Sequence, residues 1–114
     1  MKIKLSSFSW KHGAPPKDAG CVIDCRDMRN PHSVASLRVL SGRDRPVQDY
    51  VMTDPKFKAV LGEALHEAGC GKHVAFGCYG GRHRSVALAE LVAAEMRKGG
   101  HDVELMHCAL GVTA

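Results

Sequence analysis

The residues best suited to chemistry form one short segment at positions 77–85, with the sequence Gly-Cys-Tyr-Gly-Gly-Arg-His-Arg-Ser. It follows the apolar run Val74-Ala75-Phe76, and this order predicts a strand, a glycine-rich loop and the start of a helix. Paired glycines let consecutive backbone N–H groups point to one centre, and the helix N-terminus adds partial positive charge. Arg82, His83 and Arg84 add fixed or titratable positive charge. The segment therefore predicts an anion pocket whose preferred ligand is a phosphate.

The cysteine of this loop leaves two chemistries open. Cys78 and Arg84 are separated by five residues and Ser85 comes next, which is the spacing of cysteine-dependent phosphatases. In such enzymes the thiolate attacks phosphorus, the arginine binds the equatorial oxygens and a nearby acid protonates the leaving group. Three aspartates are candidates for that acid: Asp24, Asp27 and Asp44. The other possibility, which the spacing alone favours, is that the loop binds a phosphate without breaking a bond.

His83 adds a titratable group to the predicted pocket. It lies between two arginines at the predicted helix start, where the helix dipole disfavours its protonation and a bound dianion favours it. This histidine could therefore sense ligand charge, or it could simply bind a neighbouring carbonyl. Trp10, next to Lys11, could stack on a base or a sugar, although a position at the rim of the core is the more common one for a tryptophan.

A second concentration of positive charge lies between positions 26 and 45. The chain has a formal charge of +4 and a pI near 8.9. Five arginines of this stretch are opposed only by Asp27 and Asp44: Arg26, Arg29, Arg38, Arg43 and Arg45. Arginine suits bidentate contact with phosphate oxygens of a small ligand or of a nucleic-acid backbone. The stretch predicts either a basic binding face or a solvated surface.

Alternating elements position these residues. Strands are predicted at 2–8, 21–25, 72–76 and 102–106, and helices at 55–68 and 85–98, with shorter helical turns near 34–40 and from Pro46 onward. Asp54 and Pro55 are typical of an N-cap followed by proline at the first helical position. The alternation predicts an α/β fold, a three-layer sandwich around a mostly parallel sheet, with the phosphate-binding loop at a strand-to-helix junction. In such sheets ligands bind beyond the carboxyl ends of the strands, so loops 25–32 and 78–84 should meet.

Composition limits the class of protein. The 114 residues, 45% of them hydrophobic, fit one domain over 1–114. The five cysteines show no zinc-finger or disulfide-framework spacing, and Cys21 and Cys25 read as small core residues. We expect no metal and no cofactor. No apolar run reaches the ~18 residues of a membrane span, so a cytoplasmic protein without a membrane partner is expected.

Three segments together resemble the RapZ C-terminal domain family. They are residues 7–13 (Ser-Phe-Ser-Trp-Lys-His-Gly), residues 23–47 and residues 77–86. The second carries the series D-x-R, N-P-H, L-R and G-x-D-x-P-V, and the third reads G-C-x-G-G-x-H-R-S-V. The resemblance covers nearly the whole chain and makes hydrolysis the second choice.

The resemblance implies a domain that recognises glucosamine-6-phosphate, binds a small regulatory RNA and works with a ribonuclease, RNase E. By carry-over onto matching positions, the phosphosugar pocket would be formed or bordered by Lys11, His32, Arg38, Cys78, Gly80, Gly81, His83 and Arg84. The remaining loop residues complete the predicted ligand set: Tyr79, Arg82 and Ser85. RNA contacts would overlap it through Lys11, Arg26, Arg29, Arg38, Arg43 and Arg45. RNA and sugar phosphate could then compete for one basic site, while the oligomeric state stays open.

Three positions depart from the family pattern. Tyr79 replaces a threonine, and Ser33 replaces an aromatic residue after Asn-Pro-His. The segment after the last strand, His-Cys-Ala-Leu at 107–110, replaces a basic one. RapZ itself also carries an N-terminal nucleotide-binding domain that these residues do not include. The change at position 79 bears most directly on which ligand the loop would prefer.

Overall fold

Strand order places the first strand in the middle of the sheet. The computed structural model describes residues 2–113. Its strands are β1 (Lys2–Ser9), β2 (Cys21–Asp24), β3 (Val74–Cys78), β4 (Asp102–His107) and β5 (Val112–Thr113). They form one sheet in the order β2-β3-β1-β4-β5, parallel except for β5, which is antiparallel to β4. Because β1 pairs with both β3 and β4, its end lies beside the end of β3.

Helices flank this sheet. They are α1 (Ala35–Arg38), α2 (Arg45–Met52), α3 (Phe57–Gly69) and α4 (Arg84–Lys98), with one turn of 3-10 helix at Pro31–Ser33. The predicted α/β class and the mostly parallel sheet are confirmed, and the arrangement is consistent with a three-layer sandwich. None of the helices in the described part of the chain is long and apolar enough to cross a membrane.

The burial of β3 explains why the loop after it is held firmly. All five residues of β3 are buried, as expected for an inner strand of a parallel sheet. Helix α4 follows and buries nine of its fifteen residues, so both ends of the loop are anchored in the core. The loop therefore starts and ends at fixed points, which favours a preformed binding site.

The start of α3 differs from the prediction. The helix begins at Phe57, so Asp54 is not its N-cap and Pro55 is not its first residue. The Asp54 carboxylate instead accepts hydrogen bonds from the backbone N–H groups of Lys56, at 2.8 Å, and Arg29, at 2.5 Å. The N–H of Arg29 comes from a loop distant in sequence, and this long-range bond holds the carboxylate in a turn before the helix. Asp54 thus fixes the loop that leads to His32.

Two serine–histidine–carboxylate triads tie β1 to the rest of the fold, and the carboxylate of the first, Asp18, is exposed. In the first, the Ser6 hydroxyl bonds Nε2 of His73, and Nδ1 of His73 lies 3.3 Å from the Asp18 carboxylate. In the second, Ser7 Oγ lies 2.7 Å from Nδ1 of His107, and Nε2 of His107 lies 2.7 Å from Glu90 Oε2 on α4. Consecutive strand residues point to opposite faces, so the sheet has one triad on each face. Both serines are buried, so these triads hold structure together and expose no nucleophile.

Candidate phosphate-binding site

The loop between β3 and α4 wraps around the thiol of Cys78. The Gly81 N–H donates to Cys78 Sγ at 3.2 Å, and the Ser85 hydroxyl lies 3.1 Å from the same sulfur. Cys78 and Ser85 are buried beneath the loop. A thiol held by a backbone N–H and a hydroxyl at the start of a helix forms the floor of the predicted anion pocket.

The paired glycines of this loop are needed for different reasons. Gly81 has φ = +68°, and a Cβ there would lie 2.6 Å from the Cβ of Ser9 and 2.7 Å from that of Ala109. The protein itself therefore requires a glycine at 81. Gly80 has no positive φ, and a Cβ there would have no neighbour within 4 Å. Its missing side chain leaves open space on the ligand side of the loop.

A cavity of about 390 Å³ opens above this loop. Its wall is formed by cationic, imidazole, amide, thiol and ring side chains together with one glycine: Lys11, His12, Asn30, His32, Cys78, Tyr79, Gly80, Arg82, His83 and Arg84. The loops after β2 and β3 both contribute, so the predicted meeting of these loops is confirmed. None of the lining residues in the described part of the chain carries a carboxylate, and a cavity of this lining suits an anion.

Two arginines of the loop also hold its surroundings together. Arg84 is 8% exposed, and its Nη1 donates to the carbonyl oxygens of Arg26 at 2.7 Å and Met28 at 3.5 Å. Arg82 donates from Nε and Nη2 to the carbonyls of Leu40, at 3.0 Å, and Val39, at 2.9 Å. A guanidinium has five N–H donors, so each arginine can bind these carbonyls and still present donors to the cavity.

His83 is a buried imidazole among the residues that line the cavity. The residue is 7% exposed, and no hydrogen-bond partner reaches its Nε2 among the described residues. Burial lowers the pKa of His83, and the charge of Arg82 lowers it further, against the carbonyls of Leu40 and Arg38, which raise it. The ring centroid of His32 lies 6.3 Å away. A neutral, buried imidazole beside an anion pocket gains a proton more easily once a negative ligand arrives.

Comparison of the sequence with models of known protein families identifies one family. A model of the RapZ C-terminal domain matches residues 1–111. The chain belongs to the RapZ C-terminal domain family. The family assignment agrees with the motifs at 7–13, 23–47 and 77–86, which the fold brings to one end of the sheet.

Curated relatives of this RapZ-family chain bear the name nucleotide-binding protein. One from Thermobifida fusca is 43% identical over 97% of this chain and 41% of its own length. Others from Cereibacter sphaeroides and a Ruegeria species are 37% and 39% identical over 94% of this chain and 39% of their own length. The chain thus spans about two fifths of the length of these relatives.

The predicted site residues divide into those that line the cavity and those that support it. Cavity-lining members are Lys11, His32, Cys78, Tyr79, Gly80, Arg82, His83 and Arg84. Gly81 is a buried residue of the loop, and Ser85 is buried at the start of α4, so neither is part of the lining. Arg38 lies outside the lining, and its Nε donates to the His32 carbonyl at 2.8 Å, so it positions the loop that carries His32.

The arginines predicted for RNA contact lie on the surface of this RapZ-family domain. All five are exposed: Arg26, Arg29, Arg38, Arg43 and Arg45. Two of them form ion pairs, Arg26 with Asp24 at 2.8 Å and Arg45 with Asp49 at 2.9 Å. The exposed pair of Arg45 is weak, so this guanidinium could exchange its partner for a phosphate. Arg26 is held more firmly, because it contacts Asp24 through both Nε and Nη2 and lies over the Trp10 ring.

Sequence reasoning missed two residues that line the cavity, His12 and Asn30. His12 directly follows Lys11, and its backbone N–H donates to Ser9 Oγ at 3.1 Å. The Asn30 side chain accepts from the N–H of His32 at 3.1 Å and so caps the short helical turn. His12 and Asn30 lie within the family motifs at 7–13 and 23–47, which was a usable signal. The prediction named only their neighbours, Lys11 and His32.

The aspartates considered for acid catalysis all lie outside the cavity lining. Hydrogen bonding from Arg26 lowers the pKa of Asp24, which disfavours its protonated form. Asp27 lies 3.9 Å from Lys56 Nζ, and Asp44 accepts from the Ser41 N–H at 2.8 Å. Within residues 2–113 no group of three or more potential ligands is arranged to hold a metal ion.

Proposed function

We propose that this RapZ-family domain is a regulatory module that binds a phosphate monoester in the cavity above the Cys78 loop. The main observation behind the proposal is the unpartnered Nε2 of buried His83 beside Arg82, Arg84 and Lys11. A buried polar atom without a partner costs free energy, and a phosphate oxygen would remove that cost. The loop N–H groups and the start of α4 would stabilise the same charge.

Glucosamine-6-phosphate is the ligand we propose from the family resemblance. The sugar phosphate would place its phosphate at the loop near Arg82, His83 and Arg84, and its sugar ring toward His12, Asn30 and His32. The names of the curated relatives, which describe nucleotide binding, support a phosphate-bearing ligand in general.

RNA binding and a ribonuclease partner complete the proposal. Lys11 lines the cavity, and the exposed arginines belong to the segment 26–45 that also supplies Asn30 and His32 to it, so we expect an RNA backbone and a sugar phosphate to compete. A cytoplasmic location is proposed as well, because all five described cysteines are free thiols, as is usual in a reducing compartment.

Calorimetric titration tests the ligand. Glucosamine-6-phosphate should bind more tightly than inorganic phosphate or glucosamine alone, because only the ester fills both parts of the cavity. Lys11→Ala should weaken binding, whereas Lys58→Ala, on the exposed side of α3, should leave it unchanged. Equal affinity for ester and inorganic phosphate would reject sugar sensing.

Filter binding with a short structured RNA tests the second part. Affinity should fall steeply with added salt and should fall again when glucosamine-6-phosphate is present. Replacing Arg29 and Arg43 by alanine should reduce the salt slope. RNA binding that is indifferent to the sugar phosphate would contradict a shared site.

Phosphatase activity is the second candidate, because Gly81 N–H and Ser85 Oγ contact Cys78 Sγ as a thiolate nucleophile would require. The absence of a carboxylate from the cavity lining makes binding the better-supported function. Steady release of phosphate from an aryl phosphate, abolished by Cys78→Ser, would reverse this order. Release that persists in Cys78→Ser would point to a contaminant.

A further inference from the structure

Tyr79 is an aromatic side chain left open at the mouth of the phosphate cavity. It lines the cavity, yet 57% of its surface is exposed. Lys11 Nζ lies 5.8 Å from the ring centroid, near the outer limit of a cation-π contact. The ring is therefore held at the rim and is largely uncovered.

The ring of Trp10 is covered by other side chains, whereas the ring of Tyr79 is exposed. The guanidinium of Arg26 covers the Trp10 ring at 4.1 Å, and Phe8 packs edge-on against it with centroids 4.7 Å apart. Gly77 allows this packing, since a Cβ there would lie 2.5 Å from the Trp10 ring. Trp10 is thus a packed rim residue, and Tyr79 is the aromatic surface that remains for a ligand.

Gly80 keeps the space beside Tyr79 open. A Cβ at position 80 would meet no atom within 4 Å, and the residue does not have a positive φ. Neither backbone geometry nor packing in the protein requires glycine there. The missing side chain leaves room for a ligand to approach the loop backbone next to Tyr79.

We propose that Tyr79 is a stacking surface for a nucleobase, so that the cavity accepts nucleoside 5′-monophosphates. This inference rests on the proposed phosphate site, which would hold the 5′-phosphate while the ribose spans the cavity mouth. The base then lies on the exposed ring. Stacking suits this position because every base has a flat π-face, and Lys11 supplies charge for the phosphate without covering the ring.

The decisive experiment compares two ligands that differ only by the base. Titration of AMP and ribose 5-phosphate into the wild-type chain should give AMP an affinity at least about five-fold higher. In Tyr79→Leu the AMP to ribose 5-phosphate ratio should fall toward one, because the π-face is lost. Tyr79→Phe keeps the face and should keep the ratio.

The outcomes separate this inference from the proposed function. Equal affinities for AMP and ribose 5-phosphate in the wild type, or an AMP preference that survives Tyr79→Leu, would overturn the stacking role and leave the phosphate site standing. Failure of inorganic phosphate, ribose 5-phosphate and AMP alike to bind would reject the phosphate site and the stacking role together.

A nucleoside 5′-monophosphate occurs both as a free molecule and as the terminal unit of a 5′-phosphorylated RNA. A 5′-phosphorylated RNA trimer and its 5′-hydroxyl counterpart distinguish these sources in competition with AMP. Displacement of AMP by the phosphorylated trimer alone would assign RNA ends as ligands. Displacement by neither, with AMP still showing its Tyr79-dependent preference, would assign the free nucleotide.

Discussion

His107 and His83 are both less than a tenth exposed, but their ring nitrogens meet different surroundings. Both nitrogens of His107 have partners, Ser7 on one side and Glu90 on the other. Nε2 of His83 is buried and has none among the described residues, and the residue lines a cavity together with Lys11, Arg82 and Arg84. An unpaired nitrogen alone does not distinguish the two regions, because Nδ1 of buried His73 also lacks a hydrogen bond and lies 3.3 Å from the Asp18 carboxylate. What sets His83 apart is that its unpaired ring belongs to a residue of the cavity lining.

The difference follows from what each region has to do. The polar triads join β1 to α4 and to the loop near Asp18, and in the triad of Ser7, His107 and Glu90 both ring nitrogens have partners, which stiffens that junction. In the cavity lining, His83 keeps one buried ring nitrogen without a partner among the described residues, which costs stability. Breaking a triad should thus affect folding, and altering the cavity should affect binding.

His107→Ala should have the largest effect on stability. It leaves the Ser7 hydroxyl and the Glu90 carboxylate without their partner and opens a cavity, so we expect a loss of about 3 kcal/mol in the free energy of unfolding. Urea denaturation measures it, with exposed His66→Ala as the matched control at less than about 0.5 kcal/mol. A loss no larger than the control would show that the second triad does not support the sheet.

Arg84→Ala should affect both regions. The guanidinium ties the loop after β2 to the phosphate loop and also faces the cavity, so phosphate binding should fall by about 100-fold and stability by about 2 kcal/mol. Calorimetry and denaturation on the same preparation separate the two effects. Retained affinity in a folded variant would contradict the placement of the site.

Alanine substitutions at Gly80 and Gly81 compare a binding role and a folding role at two neighbouring positions of the loop. Gly81→Ala should cost about 2 kcal/mol of stability, because it combines a positive φ with contacts under 3 Å. Gly80→Ala should change stability by less than about 0.5 kcal/mol and should weaken ligand binding instead. The opposite pattern would mean that Gly80, too, serves the fold.

His83→Gln should alter the pH dependence of stability. The pKa of His83 is lowered in the folded protein from an ordinary value of 6.5, so the unfolded chain binds more protons as the pH falls below that value. In the wild type, the free energy of unfolding that is linked to neutral His83 is therefore fully present above pH 6.5 and decreases as the pH falls below that value. Urea denaturation between pH 7.5 and 5.5 should show a smaller loss in His83→Gln, and equal losses would contradict the assignment.

Local sequence was sufficient for the elements that carry the site. The apolar run 74–76 followed by paired glycines and Arg82-His83-Arg84 predicted β3, the loop and the start of α4, and the rule for parallel sheets predicted that the loop after β2 would meet it. Family motifs identified the domain. These signals depend on neighbours along the chain or on general topology.

Patterns of neighbouring residues do not identify hydrogen-bond partners that are distant in sequence. Ser7 and His107 are 100 positions apart, and Arg82 binds the Leu40 carbonyl across 42 positions. The pair Asp54-Pro55 predicts a local N-cap. In the structure the Asp54 carboxylate accepts a hydrogen bond from the Arg29 N–H and lies in the turn before α3. Packing decides which polar groups become paired, and the unpaired His83 nitrogen is visible only after that pairing is complete.

The most direct test of this account is a histidine NMR titration with glucosamine-6-phosphate, recorded on uniformly labelled protein. We predict that the His83 ring signals move to those of a protonated imidazole as the ligand binds, while the ring signals of His107 stay in place. Saturable binding with an unchanged His83, or with equal movement of His107, would contradict the proposal that His83 lies in the ligand site and responds to the charge of the ligand.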